Sequence, residues 1–255
     1  MTDLERFAET VDEAARTATA IRQFSRVAPL DVADAYRVQS LSMQRRYRRG
    51  ERRVGVKMGL TSRAKMRQVG VSETIWGRLT DAMRETDGGT VSMARYIHPR
   101  IEPELAFMMK RPLAGDVSGL EAMAAVEAVA PALEVIDSRY EDFEFDLGDV
   151  IADNSSSAGF VIGNWARPDT DIANLGMVLS VDGRTRETGS TAAILGHPVR
   201  ALVAAARMVF AADEELQAGD IVLAGAATAA VPLAAGDAVR LEVQALGTVD
   251  VVTES

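Results

Sequence analysis

The hydrophobic spacing changes near residue 54, and this change constrains the possible fold more than any other feature of the chain. Before it, apolar side chains recur every three or four residues, which is the period of amphipathic helices. After it, the segment 54–59 (Val-Gly-Val-Lys-Met-Gly) has the two-residue period of a strand with one apolar face. The sequence therefore predicts an N-terminal helical segment, residues 1–53, packed on a single β-rich domain, residues 54–255.

Two helices are expected in the N-terminal segment. The apolar pattern of the first runs from Leu4 to Phe24. The second is capped by Asp31 and runs towards Arg49, and its basic end complements the helix dipole. The arginine cluster at 45–53 fits a solvated helix end, but a subunit contact and a funnel for an anionic substrate fit it as well.

The remaining chain is expected to contain strands interrupted by a few helices. The expected strands are Ile101–Met109, Ala132–Ile136, Val150–Ala152, Phe160–Ile162, Met177–Val181, Ile221–Ala224 and Val239–Gln244. The expected helices follow a cap at Thr61 or Ser62 as far as Gly70, a capping box at Ser118, and Pro198. Because strands and helices do not alternate strictly, the pattern predicts an α+β fold with a mixed, largely antiparallel sheet.

Composition excludes several classes of function. The chain has 28 Lys+Arg against 37 Asp+Glu, a net charge of −9, which disfavours partners such as nucleic acid or an anionic membrane. Cysteine is absent and only two histidines occur, so thiol chemistry is excluded and zinc is disfavoured. No long apolar segment is present, and the expected location is the cytoplasm.

Three glutamates are the strongest candidates for a metal site. Glu102 and Glu104 are two residues apart on a predicted strand, so they share one face. Glu134 lies within a second apolar segment. Three converging carboxylates would make an all-oxygen site for Mg²⁺ or Mn²⁺. A solvent-facing pair with Glu134 in a salt bridge explains the same spacing, and spacing alone leaves both interpretations open.

Lys57 and a polar run at 152–157 are further candidates. On its face of the predicted strand, Lys57 lies between Gly55 and Gly59, so no bulky side chain screens its ammonium group. The group could anchor a carboxylate or, with a lowered pKa, move protons. The polar run could present Asn154 and Ser156 to a bound anion. A solvated strand lysine and a turn that satisfies its own polar groups remain the alternatives.

Six segments, in this order and spacing, resemble the hydratase/decarboxylase branch of the fumarylacetoacetate hydrolase superfamily. They are residues 55–62 (GVKMGLTS), 98–107 (HPRIEPELAF), 134–140 (EVIDSRY), 152–156 (ADNSS), 195–198 (LGHP) and 228–232 (TAAVP). The resemblance covers about residues 30–250. It implies a β-sheet roll or barrel and a divalent-metal enzyme, using Mg²⁺ or Mn²⁺, that acts on 2-oxo acids in the meta-cleavage catabolism of aromatic compounds.

The resemblance also implies roles for particular residues. The metal ligands of the family fall on Glu102, Glu104 and Glu134, and its active-site lysine falls on Lys57. The expected substrate-binding residues are Leu60, Asn154, Ser156 and Thr228. The expected partners are a small 2-oxo dicarboxylic acid, further copies of the chain in a homo-oligomer and the hydratase of the same pathway.

One position distinguishes the two activities of this branch. This chain has Thr74-Ile75-Trp76-Gly77 where hydratases of the branch have a segment similar to Pro-Asp-Phe-Gly. Ile75 therefore takes the place of their acid/base aspartate. An apolar neighbour favours the loss of CO₂ from a weakly solvated carboxylate. The expected reaction is decarboxylation of 2-oxo-3-hexenedioate to 2-hydroxypenta-2,4-dienoate. Hydration of 2-hydroxypenta-2,4-dienoate, or a non-catalytic subunit bound to that hydratase, is the alternative. Ala226, where decarboxylases carry a second glycine, leaves the exact substrate open.

Overall fold

A computed structural model describes residues 2–62 and 74–255. The helices are α1 (Asp3–Thr17), α2 (Val32–Arg48), α3 (Gly119–Ala124), α4 (Leu147–Ala152) and α5 (Pro198–Ala211). The strands are β1 (Arg53–Gly59), β2 (Ile75–Thr80), β3 (Arg84–Glu85), β4 (Gly89–Ser92), β5 (Arg100–Met109), β6 (Val126–Ile136), β7 (Ser157–Ile162), β8 (Gly176–Val181), β9 (Arg184–Ser190), β10 (Ile221–Leu223), β11 (Val231–Pro232), β12 (Ala238–Val243) and β13 (Gly247–Glu254). Within these described ranges, no helix is both long enough and apolar enough to cross a bilayer.

The strands form two sheets. The larger sheet has the order β2-β1-β10-β5-β6-β7-β3, with β11 paired to β5, and the smaller has the order β4-β13-β12-β8-β9. Most neighbours are antiparallel, and the pairs β1–β10, β3–β7 and β4–β13 are parallel. The expectation of an α+β fold with a mixed, largely antiparallel sheet is confirmed.

The two faces of the larger sheet have different partners. Strand register aligns Lys57 with Leu223 and Ala106, and the face that carries these residues is called the inner face here. Its small apolar residues pack with Met43 of α2. The opposite, outer face packs against α5 and the smaller sheet in the main hydrophobic core. Lys57 therefore lies on the inner face, which also carries the alanines and the larger residues Leu79 and Phe160 of this cluster.

A side-chain amide connects the two edges of the larger sheet. Asn154, just before β7, accepts a hydrogen bond from the Arg78 N–H of β2 (2.8 Å) and donates one to the Arg78 carbonyl (2.9 Å). These are the two bonds that a neighbouring strand would make. The backbone approaches closely here, because a Cβ on Gly77 would lie 2.4 Å from the Asn154 carbonyl oxygen. The sheet is thus curled into a roll.

Several expected elements differ from those observed. The strand predicted at Val150–Ala152 is wrong, because these residues end helix α4 and bury their side chains against the N-terminal helices. A short apolar run has the same pattern in a buried strand and a buried helix. Helix α1 ends at Thr17, before Phe24, because Ala18 adopts a left-handed conformation with φ 47°. The helix that was expected after Thr61 or Ser62 as far as Gly70 lies outside the described residues and stays a prediction.

The predicted arginine cluster is used inside the chain. Arg45 and Arg49 of α2 both pair with Asp12 of α1, which is buried, and these guanidinium groups outweigh burial and lower the pKa of Asp12. Arg53 pairs with Asp220 at 3.1 Å. The boundary near residue 53 stays a prediction; Arg45, Arg49 and Arg53 join α1, α2 and the roll, whereas Arg48 and Arg52 of the cluster are exposed.

Replacing Gly55 by Ala should disrupt the contact between β1 and β10. A Cβ at Gly55 would lie 1.9 Å from the Ile221 carbonyl oxygen, whereas a Cβ at Gly50 would meet nothing within 4 Å. We expect Gly55→Ala to lower the free energy of unfolding by about 3 kcal/mol or more, and Gly50→Ala by about 1 kcal/mol from its left-handed backbone alone. Urea denaturation measures both, and equal losses would contradict the close packing at Gly55.

Candidate functional site

The three predicted acidic ligands meet on the inner face of the roll. Glu102 on β5 is directly opposite Glu134 on β6, and Glu104 lies two residues further along β5. One carboxylate oxygen from each residue lies within 4.8 Å of the others. Glu104 and Glu134 are completely buried, and Glu102 is 7% exposed. The alternative is therefore wrong for the pair, which does not face solvent, whereas the salt bridge that it placed at Glu134 is present, with Lys57 as the partner.

Burial and mutual repulsion make this cluster electrostatically costly. Desolvation, reinforced by the neighbouring Glu134 and Glu102, raises the pKa of Glu104 well above its usual range. Desolvation also raises the pKa of Glu134, although the positive charge of Lys57 opposes the shift. A cation among the three carboxylates would offset both effects.

The donor atoms fit a hard divalent cation. Among the described residues, the Oε1 atoms of Glu104 and Glu134 are buried without a hydrogen-bond partner. The other oxygen of Glu104 accepts a hydrogen bond from the Gly225 N–H at 2.7 Å, which orients the carboxylate. An all-carboxylate set with unused oxygens suits Mg²⁺ or Mn²⁺.

Lys57 lies beside this cluster with its ammonium group in a defined position. Its Nζ is 3.0 Å from Glu134 Oε2 and donates a hydrogen bond to the Ser155 carbonyl at 3.0 Å. Burial alone would lower the pKa of Lys57, but the three glutamates outweigh it and raise that pKa. The ion pair with Glu134 and the raised pKa thus favour a charged ammonium group that anchors an anion, rather than a lysine with a lowered pKa.

The residues 154–156 form a left-handed turn beside Lys57. Asn154, Ser155 and Ser156 have φ values of 49°, 54° and 57°. The side-chain amide of Asn154 is engaged by Arg78, and the Ser155 hydroxyl donates to the Trp76 carbonyl at 2.8 Å. The Ser156 hydroxyl is buried and has no hydrogen-bond partner among the described residues, so it can bind a ligand oxygen. Asn154 instead shapes the turn.

The other expected substrate-binding residues lie near one end of the roll. Leu60 directly follows β1 and has φ 54°. Thr228 follows the Gly225 loop, but its hydroxyl donates to the Ala229 carbonyl at 2.9 Å, and no contact with the glutamates places it in the cluster. Ile75 pairs with Gly59 in the β1–β2 register, so its buried side chain shares the inner face with Lys57.

Two contributors escaped the sequence interpretation. Gly225 binds Glu104 through its backbone N–H, and a Cβ there would lie 2.0 Å from Thr61 Oγ1. In the sequence, a glycine next to a short strand is only a weak sign that another residue, here Thr61, approaches its backbone closely. The Ser155 carbonyl, which accepts from Lys57, left no signal, because backbone atoms do not depend on residue type.

The chain resembles known enzymes over nearly its whole length. A 4-oxalocrotonate decarboxylase of a Pseudomonas species is 55% identical over 250 residues, which cover 98% of each chain. A 2-keto-4-pentenoate hydratase of Paraburkholderia xenovorans is 36% identical over 229 residues, 89% of this chain and 85% of that protein.

Solved structures and a family description agree with these relatives. The 4-oxalocrotonate decarboxylase from Pseudomonas putida G7, complexed with magnesium and adipate, superposes with a TM-score of 0.96 at 39% identity and covers 99% of this chain and 98% of that one. Residues 51–252 match the fumarylacetoacetate (FAA) hydrolase C-terminal family. With a match over most of its length and full-length relatives well above 30% identity, the chain belongs to the fumarylacetoacetate hydrolase family.

Proposed function

We propose that this protein decarboxylates 2-oxo-3-hexenedioate (4-oxalocrotonate) to 2-hydroxypenta-2,4-dienoate and CO₂ with a divalent cation. The observation that carries the proposal is the buried Glu102–Glu104–Glu134 cluster with Lys57 and the apolar Ile75 on the same face. The similarity to 4-oxalocrotonate decarboxylases supports it. The solved relative also binds adipate, a six-carbon dicarboxylate like the proposed substrate.

Glu102, Glu104 and Glu134 would hold Mg²⁺, or Mn²⁺ in its place. Bound there, the cation supplies a Lewis acid that favours electron flow towards the 2-oxo group of the substrate as CO₂ leaves. The Gly225 N–H holds Glu104 in its ligating orientation. The Lys57 ammonium restrains Glu134 from the other side of the cluster.

Lys57 and Ser156 would bind and orient the substrate. The ammonium group of Lys57, held beside Glu134 at 3.0 Å, would attract the carboxylate and 2-oxo oxygens of the substrate. The Ser156 hydroxyl has a free hydrogen-bonding capacity beside it. Fixed donors at this position need no reorganisation when negative charge moves onto the 2-oxo oxygen.

Ile75 favours decarboxylation over hydration. Its side chain is 5% exposed and lies on the same face of the sheet as Lys57. Hydratases of the branch have an aspartate at this position. An isoleucine cannot transfer a proton, whereas adding water across a double bond requires a proton donor and a base. The similarity to hydratases at 36% identity keeps hydration of 2-hydroxypenta-2,4-dienoate as the second candidate.

A complex with the pathway hydratase, a homo-oligomeric state and a cytoplasmic location complete the proposal. The arginines at the end of α2 are less suited to a partner surface than expected, since they pair with Asp12 and other acids of the same chain. Size-exclusion chromatography with light scattering, with and without the hydratase, tests both associations.

We expect the protein to release CO₂ from 2-oxo-3-hexenedioate with Mg²⁺ and to stop when excess chelator removes the cation. The cation offsets the repulsion between buried carboxylates and supplies the electron sink. The measurement is CO₂ release coupled to loss of substrate absorbance, with 2-hydroxypenta-2,4-dienoate as a second substrate. Hydration without CO₂ release would favour the hydratase, and the absence of both reactions would favour a non-catalytic subunit.

Replacing Lys57 by Met should abolish most turnover, with kcat lowered by about 10²-fold or more, because a fixed positive donor is lost at the reacting oxygens. Lys110→Met is the matched control, since Lys110 is exposed at the end of β5. Both variants should fold, as circular dichroism can verify. A Lys57→Met enzyme with wild-type kcat would eliminate this role.

Glu104→Gln should separate stability from metal binding. Without metal, the substitution replaces a buried carboxyl group, whose raised pKa shows that burial disfavours its ionised form, by a neutral amide. The melting temperature should therefore equal or exceed that of the wild type. Saturating Mg²⁺ stabilises the wild type by about 2.7 kcal/mol at 100 times Kd, and the variant should lose most of this gain. Glu127→Gln, an exposed position on β6, should keep it. An unchanged Mg²⁺ effect in Glu104→Gln would exclude Glu104 as a ligand.

A further inference from the structure

The left-handed turn at 154–156 is energetically unfavourable by itself. Each of its three residues carries a Cβ, and a left-handed conformation costs such a residue roughly 1–2 kcal/mol. Three in succession persist only where surrounding contacts hold them, and such strain is common at functional sites. The turn provides the Ser155 carbonyl that accepts from Lys57 and the Ser156 hydroxyl that has no partner in the described structure.

Arg139 binds both ends of this turn. Its Nη2 donates to the Asp153 carbonyl at 2.6 Å, and its Nη1 donates to the Ser157 carbonyl at 3.3 Å. Its Nε and its backbone N–H bind the Asp153 carboxylate. Arg139 is 3% exposed and Asp153 is fully buried, so water does not compete for these bonds. A planar guanidinium spans the two carbonyls in a way that a lysine ammonium cannot.

The same chain segment holds the turn and supplies a glutamate of the cluster. Arg139 follows the last strand residues of β6 by only three positions, and β6 carries Glu134. Between them, the Asp137 N–H donates to the Ser156 carbonyl at 2.9 Å. Through these contacts the segment after β6 sets the turn against Glu134, and Lys57 bridges the two.

We propose that Arg139 is a positioning residue: its guanidinium holds residues 154–156 in the left-handed conformation, so that the Ser155 carbonyl orients the Lys57 ammonium and the Ser156 hydroxyl faces the substrate. The inference rests on the proposed function of the site. Arg139 itself contacts none of the three glutamates in the described structure. A buried ion pair that only stabilises the fold is the competing interpretation, and the two predict different kinetics.

The decisive variant is Arg139→Lys. A lysine keeps a positive charge beside the Asp153 carboxylate, but it cannot donate to both the Asp153 and the Ser157 carbonyl. The turn should therefore relax while the charge of Asp153 stays neutralised. We expect kcat to fall about 10- to 100-fold, the loss typical of a small misplacement of catalytic groups. KM and the stabilisation by Mg²⁺ should change less than threefold, because the glutamates remain in place. Arg45→Lys, at the ion pair with buried Asp12, is the matched control and should keep the wild-type kcat.

Several kinetic results would overturn the proposal. The first is a folded Arg139→Lys with wild-type kcat, and the second is a loss of kcat accompanied by an equal loss of Mg²⁺ stabilisation, which indicates general collapse. The third is an Arg45→Lys that loses kcat as strongly. In Arg139→Ala, added guanidinium at millimolar concentration should restore part of kcat without raising the melting temperature, and rescue limited to stability would also contradict the proposal.

A spectroscopic measurement tests Arg139 independently of turnover. The chain has three lysines, so ¹⁵N-lysine labelling resolves the ammonium signal of Lys57, assigned by its loss in Lys57→Met. We expect this signal to shift and to exchange faster in Arg139→Met, because the Ser155 carbonyl moves. An unchanged signal overturns the positioning role. If the wild type releases no CO₂ while the signal still shifts, the proposed function fails and the positioning of Lys57 stands.

Discussion

The repulsion between Glu102 and Glu134 is the constraint on which the rest of this structure depends. Two carboxylates directly opposite each other on neighbouring strands destabilise a sheet, and burial increases the cost. The strands remain paired because the outer face of the same sheet carries the main hydrophobic core. Hydrophobic packing on the outer face thus offsets the cost of burying carboxylates on the inner face, where Lys57 is the counter-charge.

Rigid backbone at one end of the roll completes this arrangement. Left-handed residues occur at Leu60 after β1, at Gly225 after β10 and throughout the turn at 154–156. The Gly225 N–H binds Glu104, and the turn provides the Ser155 carbonyl that accepts from Lys57. Strained positions of this kind persist when several contacts determine them together. The site is thus pre-organised by backbone as much as by side chains.

The sequence predicted this site better than it predicted the elements that support it. Two-residue periodicity placed Lys57 and the three glutamates on strands, and the resemblance of six segments supplied the fold. Local patterns failed where tertiary contacts decide. Val150–Ala152 has the composition of a strand, yet the cap at Asp146 and the apolar faces of α1 and α2 make it a helix.

Long-range partners were beyond sequence reasoning for a physical reason. Asp12 gives no local sign that it binds two arginines more than 30 residues away, so the basic end of α2 was interpreted as a surface. Asn154 carries an amide suited to an anion, and only the fold shows that β2 uses it as a substitute strand. Pairings of this kind depend on which elements meet, and a single sequence does not contain that information in its spacing.

The proposed function assigns the choice between the two reactions of the branch to one side chain, Ile75. In the proposed reaction, Lys57 and the hydroxyl of Ser156 would bind the 2-oxo end of the substrate beside the glutamates, and both reactions of the branch need that end polarised. The reactions differ at the distal end, where one needs a proton-transfer group and the other needs poor solvation of a departing carboxylate. Ile75, opposite Gly59 on the inner face, lies where that difference can act without disturbing the glutamates. Under the proposed roles, a change from one reaction to the other would need a change of polarity at the start of β2 rather than a new metal site.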